Sequence, residues 1–371
     1  MTDLIQCQDE LARFCQSALR APWLGLDTEF ERVRTYYPRL CLLQLSTLER
    51  TVCVDPLQGL DLDPLAQLIT NSPITILHAA RQDLEVLQYA LQVSPQRVFD
   101  TQIAAALLGH GEQVGYASLA KALCGVDLAK QQTRSDWTRR PLSDAQISYA
   151  LDDARYLGSF YEHFFKELDS RQRLGWVIED CAALVQRDLL REAADSAVMR
   201  THTRSRRLTH EQQSVVLALA RWRERTAQES NLPRGWVLTD SAVLDIAREM
   251  PGNANALGSI EGVSSKLRAR WGQVLMGVID DGRRNKNKIK PLLVEVRPAR
   301  ETKQLADGLW AQLKSRCADE GIATSAVARR EQMIALASGQ DSVALLSGWR
   351  GRFIGCEFKH FCDDVLSHRS C

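Results

Sequence analysis

The 371-residue sequence predicts an α/β domain followed by two small all-α units, and three observations carry that expectation. Apolar runs of strand length alternate with helical periodicities through the first two hundred residues or so. Beyond them the strand runs fade and helical patterns dominate. Two basic, polar breaks, residues 200–207 and the stretch DDGRRNKNKIKP, then divide the remainder into two parts of similar size.

Taken in order, LGLDTEF (residues 24–30) is patterned as a buried strand, and LCLLQLSTLERTVCVDP adds two apolar runs turned at Glu49-Arg50, a hairpin. ITILHA is a further short apolar run. RQDLEVLQYAL follows as a helix, with Leu84, Leu87, Tyr89 and Leu91 suiting that period. VFDTQIAAALLG reads as a helix ending at Gly109. Ser143-Asp144 caps a long helical pattern through QISYALDDARYLGSFYEHFFKEL, and helices continue to about Asp195. Arg200 to Arg207 lacks apolar periodicity and reads as a linker. The two C-terminal parts can be laid side by side: ALARWRERTAQESNLPRGWVLTDSAVLDIAR against LADGLWAQLKSRCADEGIATSAVARREQMIALA suggests a divergent repeat. The expected domains are residues 1–195, 207–288 and 296–371.

A chain this long exceeds one ordinary core, and 45% hydrophobic with 25% charged residues is a globular composition. No apolar run is long enough to span a bilayer, and MTDLIQCQDELARFC has neither signal-peptide nor transit-peptide character, so the expected compartment is the cytoplasm. The 10 Cys are scattered singly with no C-x-x-C pair, which reads as free thiols in a reducing compartment. The net charge of +1 hides an asymmetry. Residues 1–199 hold 19 Lys and Arg against 27 Asp and Glu, residues 200–300 hold 19 against 10, and residues 301–371 hold 9 against 9. A basic module with net +9 between an acidic and a neutral one suits an anionic partner.

LGLDTEF carries the chemistry. Asp is depleted in strands, and a buried charge is costly unless it is paired or binds a metal. Alternation places Asp27 and Glu29 on one face, where a divalent cation would relieve their repulsion. Asp83 follows ITILHA at the start of a helix, and Asp153 lies one helical turn after Tyr149. Together Asp27, Glu29, Asp83 and Asp153 offer four hard oxygen ligands, which suit Mg²⁺ or Mn²⁺ rather than zinc. Two such ions can stabilise the attacking and leaving oxygens of phosphodiester cleavage. Tyr149, with an unperturbed pKa of about 10, suits orientation of a water better than general-base work.

LDTEF, HAARQDLEVL, FDTQI and YALDD resemble, in order and spacing, the motifs of the DEDDy group of 3′-5′ exonucleases. LDTEFERVRTYYPRLCLLQLS and SDWTRRPLS resemble the bacterial ribonuclease D family in particular, and the two C-terminal units resemble helicase-and-ribonuclease-D C-terminal (HRDC) modules, the first more clearly. The resemblance implies an RNase H-like α/β exonuclease domain, with a mixed central sheet and flanking helices, followed by two small all-α HRDC-type domains. It implies that Asp27, Glu29, Asp83 and Asp153 bind two divalent ions, Mg²⁺ or Mn²⁺, with Tyr149 as the water-orienting catalytic residue. It also implies 3′-5′ exoribonuclease action releasing 5′-phosphomonoesters from single-stranded RNA 3′ ends, with tRNA precursors as the expected substrates. The family has His-Ala-Gly before its second acidic position, where this chain has His78-Ala79-Ala80. That departure bears on local loop geometry alone. Asp100 in FDTQI reads as structural, and so does His78.

Downstream of the first motif, ERVRTYYP places Arg32, Arg34, Tyr36 and Tyr37 as candidate substrate contacts, by base stacking and phosphate pairing. Trp137 and Arg140 would order the loop before the last helix of the domain. The basic middle module would hold the RNA backbone, and the neutral final unit reads as a spacer or scaffold. No membrane and no obligate protein partner are expected. A 3′-5′ DNA exonuclease with the same chemistry is the competing expectation, separable by digesting matched RNA and DNA strands. A non-catalytic RNA-binding protein on a degenerate nuclease fold is the third, opposed by the complete set of four carboxylates and Tyr149.

Overall fold

In the computed structural model, residues 3–128, 135–292, 298–340 and 344–367 are described. Six strands form one mixed sheet: β1 (Leu4–Ile5), β2 (Leu24–Glu31), β3 (Arg39–Ser46), β4 (Thr51–Val54), β5 (Thr75–Leu77) and β6 (Val98–Asp100), in the order β1-β4-β3-β2-β5-β6. The expected hairpin is present, with β3 and β4 antiparallel from Ser46 opposite Thr51 and closed by Thr47 N–H donating to the Arg50 carbonyl at 2.9 Å. β5 runs parallel to β2 and β6 parallel to β5, which leaves β2 near the middle of the sheet. Leu40 to Leu45 of β3 are all buried, apolar throughout except for Gln44, the near-continuous run that suits a strand covered on both faces. VFD, expected to open a helix, is instead the edge strand β6. Asp100 ends it and caps the helix Thr101–Leu107, so strand and helix meet with no loop between them.

Ser143 caps the helix Asp144–Arg155 in a full capping box with Gln146, as that sequence predicts. The single long helix expected beyond it is two. Tyr156 breaks the pattern, and the helix Leu157–Ser170 starts afresh. The Tyr116 hydroxyl causes the join to hold: it accepts from Tyr156 N–H at 3.0 Å and donates to the Asp152 carbonyl at 2.8 Å.

Contacts divide the chain into two units. One joins residues 1–30 and 40–187 with 297–371; the other joins residues 31–39 with 188–296. The second is mainly helical, all its helices lying beyond residue 188, with Val215, Val216, Leu219, Val243, Ile246, Leu275 and Ile279 in its core. Residues 200–207 are not a linker: the helix Leu189–Thr203 runs into them, and Thr201, His202 and Ser205 are buried. Buried Arg223 explains this, donating to Thr201 Oγ1 at 2.8 Å and to Asp240 Oδ1 at 2.7 Å. Likewise the helix Ser265–Arg284 takes the first five residues of DDGRRNKNKIKP, with Gly282 packed on Val215.

The last segment repeats the element order of the middle one. Helices His210–Glu229, Arg234–Val237 and Asp240–Glu249 correspond to Arg300–Asp319, Thr324–Val327 and Arg330–Ala337. Its expected start at residue 296 lies outside the described residues. The segment packs on the α/β core: fully buried Trp349 stacks on Trp176 at 4.5 Å and 7°, and Arg173 donates to the Glu320 carbonyl at 2.7 Å.

Candidate active site

Gly25, Asp27 and Glu29 share one face of β2 by strand alternation. A Cβ on Gly25 would lie 2.1 Å from Ser46 Oγ and 3.2 Å from Leu157 Cβ, so only glycine lets the strand and the helix junction approach this closely. Ser46 Oγ donates to the Ala154 carbonyl at 2.8 Å. These two contacts bring Asp153 beside the strand. Carboxylate oxygens of Asp27, Glu29 and Asp153 lie within 4.8 Å of one another. Asp83, in the first turn of the helix Arg81–Ala90, lines the same cleft of about 830 Å³ but is turned toward Thr28, whose hydroxyl donates to its Oδ1 at 2.6 Å.

Burial raises all four acids above the ordinary carboxylate range, and repulsion from their neighbours adds to it for Asp27 and Glu29. Asp27 is raised well above the ordinary value by burial and then by Asp83, Asp153 and Glu29. Glu29 is pushed up to about 8 by burial, Asp153 and Asp83. Burial raises Asp83 to about 7 and Asp153 to about 6, with hydrogen bonds from Thr28 and Tyr149 respectively opposing the rise. A cluster of hard oxygen donors that repel one another fits a divalent cation, which would take the place of their protons. Tyr149 lies in this cleft one turn before Asp153, with its ring 6.2 Å from that of Trp137.

Asp100 supports the site from behind. Its carboxylate accepts from Ala79 N–H at 3.0 Å, Ala80 N–H at 2.8 Å and Gln102 N–H at 2.8 Å. Ala79 adopts φ +59°, while Ala80 sits at φ −52°. The alanine at 80 therefore carries no backbone strain, and the left-handed residue is its neighbour. His78 Nε2 lies 3.0 Å from the Val114 carbonyl and Nδ1 2.9 Å from Thr101 Oγ1, the contacts of a structural histidine. Arg140 orders the loop before the Asp144–Arg155 helix: it pairs with both oxygens of buried Asp55 at 2.7 Å and donates to the Trp137 and Cys41 carbonyls.

The candidate substrate contacts Arg32, Arg34, Tyr36 and Tyr37 all belong to the helical unit. Arg32 and Arg34 are exposed and Tyr37 is half-buried. Tyr36 is 8% exposed, too enclosed to stack on a base; its hydroxyl donates to buried Glu224, which also pairs with Arg234 at 2.8 Å. Asn231 Oδ1 accepts from Tyr36 and Tyr37 N–H, both at 3.1 Å. The same unit carries a groove of about 610 Å³ lined in part by Arg221, Trp222, Arg225 and Lys288, a surface suited to a nucleic-acid backbone. Sequence reasoning missed Thr28 and the pairing of Gly25 with Ser46. Thr28 stands inside the first motif, yet nothing local signals that its partner lies 55 residues on.

Fold and cleft together define a 3′-5′ exonuclease. A family model described as 3′-5′ exonuclease matches residues 3–169, and one described as HRDC domain matches residues 212–279. Ribonuclease D of Jannaschia sp. (strain CCS1) is 36% identical over 370 residues, covering 96% of this chain and 94% of its own. Ribonuclease D of Gluconacetobacter diazotrophicus is 36% identical over 363 residues, 95% and 91% of the two chains. The crystal structure of Escherichia coli RNase D, an exoribonuclease involved in structured RNA processing, superposes with a TM-score of 0.84 at 27% identity, over 97% of this chain and 98% of that one. The chain belongs to the ribonuclease D family and is a divalent-metal-dependent 3′-5′ exoribonuclease. Among the described residues, no helix is long and apolar enough to cross a membrane.

Proposed function

We propose that Asp27, Glu29, Asp83 and Asp153 hold two Mg²⁺ or Mn²⁺ ions, and that the enzyme trims tRNA precursors in the cytoplasm from their single-stranded 3′ ends. The convergence of the Asp27, Glu29 and Asp153 oxygens within 4.8 Å is the observation that carries this reading. When bound, the ions supply Lewis acidity and charge neutralisation at the scissile phosphate.

The Tyr149 hydroxyl donates a hydrogen bond to the Asp153 carboxylate, so its oxygen keeps a lone pair free to accept from a water and aim it at phosphorus. Thr28 fixes the rotamer of Asp83, and Asp100 fixes the backbone turn ahead of it. Attack by water on phosphorus breaks the P–O3′ bond, releasing a nucleoside 5′-phosphate and an RNA one residue shorter with a free 3′-hydroxyl. The basic groove at Arg221, Arg225 and Lys288 offers a hold on the backbone of the RNA body.

Digestion of an end-labelled tRNA precursor tests this directly. EDTA should abolish cleavage and Mg²⁺ or Mn²⁺ restore it, with 5′-mononucleotides as products. Undiminished cleavage in excess EDTA would overturn the ligand assignment.

A further inference from the structure

Next to the acidic cleft lies a second groove of about 490 Å³, and the two share Gln102, Ile103, Gln113 and Leu184 in their walls. They are therefore one continuous surface, but of opposite character. The cleft holds Asp27, Glu29, Asp83, Asp100 and Asp153 against one basic residue, Arg81. The neighbouring groove holds Arg187, Arg329 and Arg350 against Glu112 and Asp180. Its far wall comes from the C-terminal helical segment.

The wall is rigidly built. Arg350 donates to both Asp180 oxygens, at 2.6 and 2.9 Å, and to the Ala326 carbonyl at 2.8 Å. Trp349 Nε1 donates to Asp180 at 3.0 Å, and Ala323 N–H donates to the Ala106 carbonyl at 2.8 Å. Arg350 is thus committed to the joint and cancels Asp180. Arg329, three residues beyond Ala326, is exposed, and its guanidinium makes no ion pair among the described residues. An exonuclease substrate must lead away from the metals, and each phosphate leaving an acidic cleft needs a cation to meet it.

Resting on the exoribonuclease reading above, we infer that this groove binds the ribose-phosphate backbone of nucleotides upstream of the scissile bond, with the Arg329 guanidinium pairing to a phosphate. The C-terminal segment is then part of the substrate path, and its zero net charge conceals a local basic edge. Arg329 is a binding residue and takes no part in bond cleavage.

Steady-state cleavage of a dinucleotide and a hexanucleotide RNA, with Mg²⁺ or Mn²⁺, tests the inference. The only phosphate of the dinucleotide is the scissile one, so it leaves the groove empty, whereas the hexanucleotide extends into it. Arg329→Ala should raise KM for the hexanucleotide about tenfold, as for loss of one charged hydrogen bond, with kcat unchanged. Its salt dependence should flatten by about 0.7 log units per decade. Dinucleotide cleavage should stay within about twofold of wild type, and Arg329→Lys should restore most hexanucleotide binding, since a phosphate accepts either cation. An unchanged hexanucleotide KM, or an equal loss on both substrates, would overturn the inference. Wild-type protein that degrades neither RNA would overturn the reading beneath it as well.

Discussion

Thr28 Oγ1 donates to Asp83 Oδ1 at 2.6 Å, and both residues line the cleft that holds Asp27 and Glu29. One strand thus presents two carboxylates to the cleft and holds a third. Thr28→Val keeps the shape and removes the hydroxyl donor, leaving Asp83 with only its backbone hydrogen bonds from Thr28 and its own N–H. A charged hydrogen bond of about 1.5–3 kcal/mol is at stake, so kcat should fall about tenfold or more, with a higher metal concentration needed for half-maximal rate. Thr28→Ser should retain near-normal activity. Rates across a Mn²⁺ titration check this, and a fully active valine variant would make the bond incidental.

Asp27→Asn and Tyr149→Phe should separate metal binding from water orientation. The asparagine variant loses ligand charge and should fail in both metal binding and turnover. The phenylalanine variant keeps the packing against Trp137 and loses only the hydroxyl, so metal affinity should persist while kcat falls by about 10². Calorimetric metal titration alongside single-turnover kinetics distinguishes the two. Full activity of Tyr149→Phe would reduce that residue to packing.

Without divalent ions, stability should fall as pH rises from about 5 to about 8. Glu29, Asp83 and Asp153 have folded pKa values of about 8, 7 and 6, each above the ordinary carboxylate value. The folded state therefore holds protons that the unfolded chain has released, and its advantage is complete below about pH 4 and lost through those values. Divalent ions replace the protons, so the stabilisation they confer should grow over the same interval. Melting curves in EDTA and in Mg²⁺ at several pH values measure both trends, and a metal-free melting temperature flat across this range would contradict the first.

Tyr36→Phe should cost the helical unit about 1–2 kcal/mol, because the hydroxyl that donates to buried Glu224 is lost. KM for RNA should stay within about twofold. A large rise in KM with unchanged urea denaturation would return Tyr36 to the substrate-contact role that ERVRTYYP suggests.

What was legible in the sequence was local. The Asp-x-Glu on a strand, the hairpin through Glu49-Arg50 and the Ser143 cap each follow from neighbours within a few residues. What was hidden depends on partners far along the chain. Helical periodicity runs straight through Tyr156, and only the Tyr116 hydroxyl, 40 residues earlier, marks the break. Residues 200–207 look like a basic linker because Thr201 is satisfied by Arg223 and Asp240, which no local pattern announces. Tyr36 looks like a stacking platform until Glu224, 188 residues on, takes its hydroxyl. Among the carboxylates, spacing alone brought out Asp27 and Glu29; Asp83 and Asp153 became persuasive only as members of a set.

The 2.1 Å left between a Cβ at position 25 and Ser46 Oγ makes these two sites one heritable unit. Alanine at 25 drives the hydroxyl at 46 from its place, and moving or removing that hydroxyl strands the Ala154 carbonyl beside Asp153. Each single change should cost more than the two made together. Gly25→Ala should therefore be more tolerable in a Ser46→Gly background than in the wild type, an epistatic sign that a growth-coupled pairwise mutational scan would register.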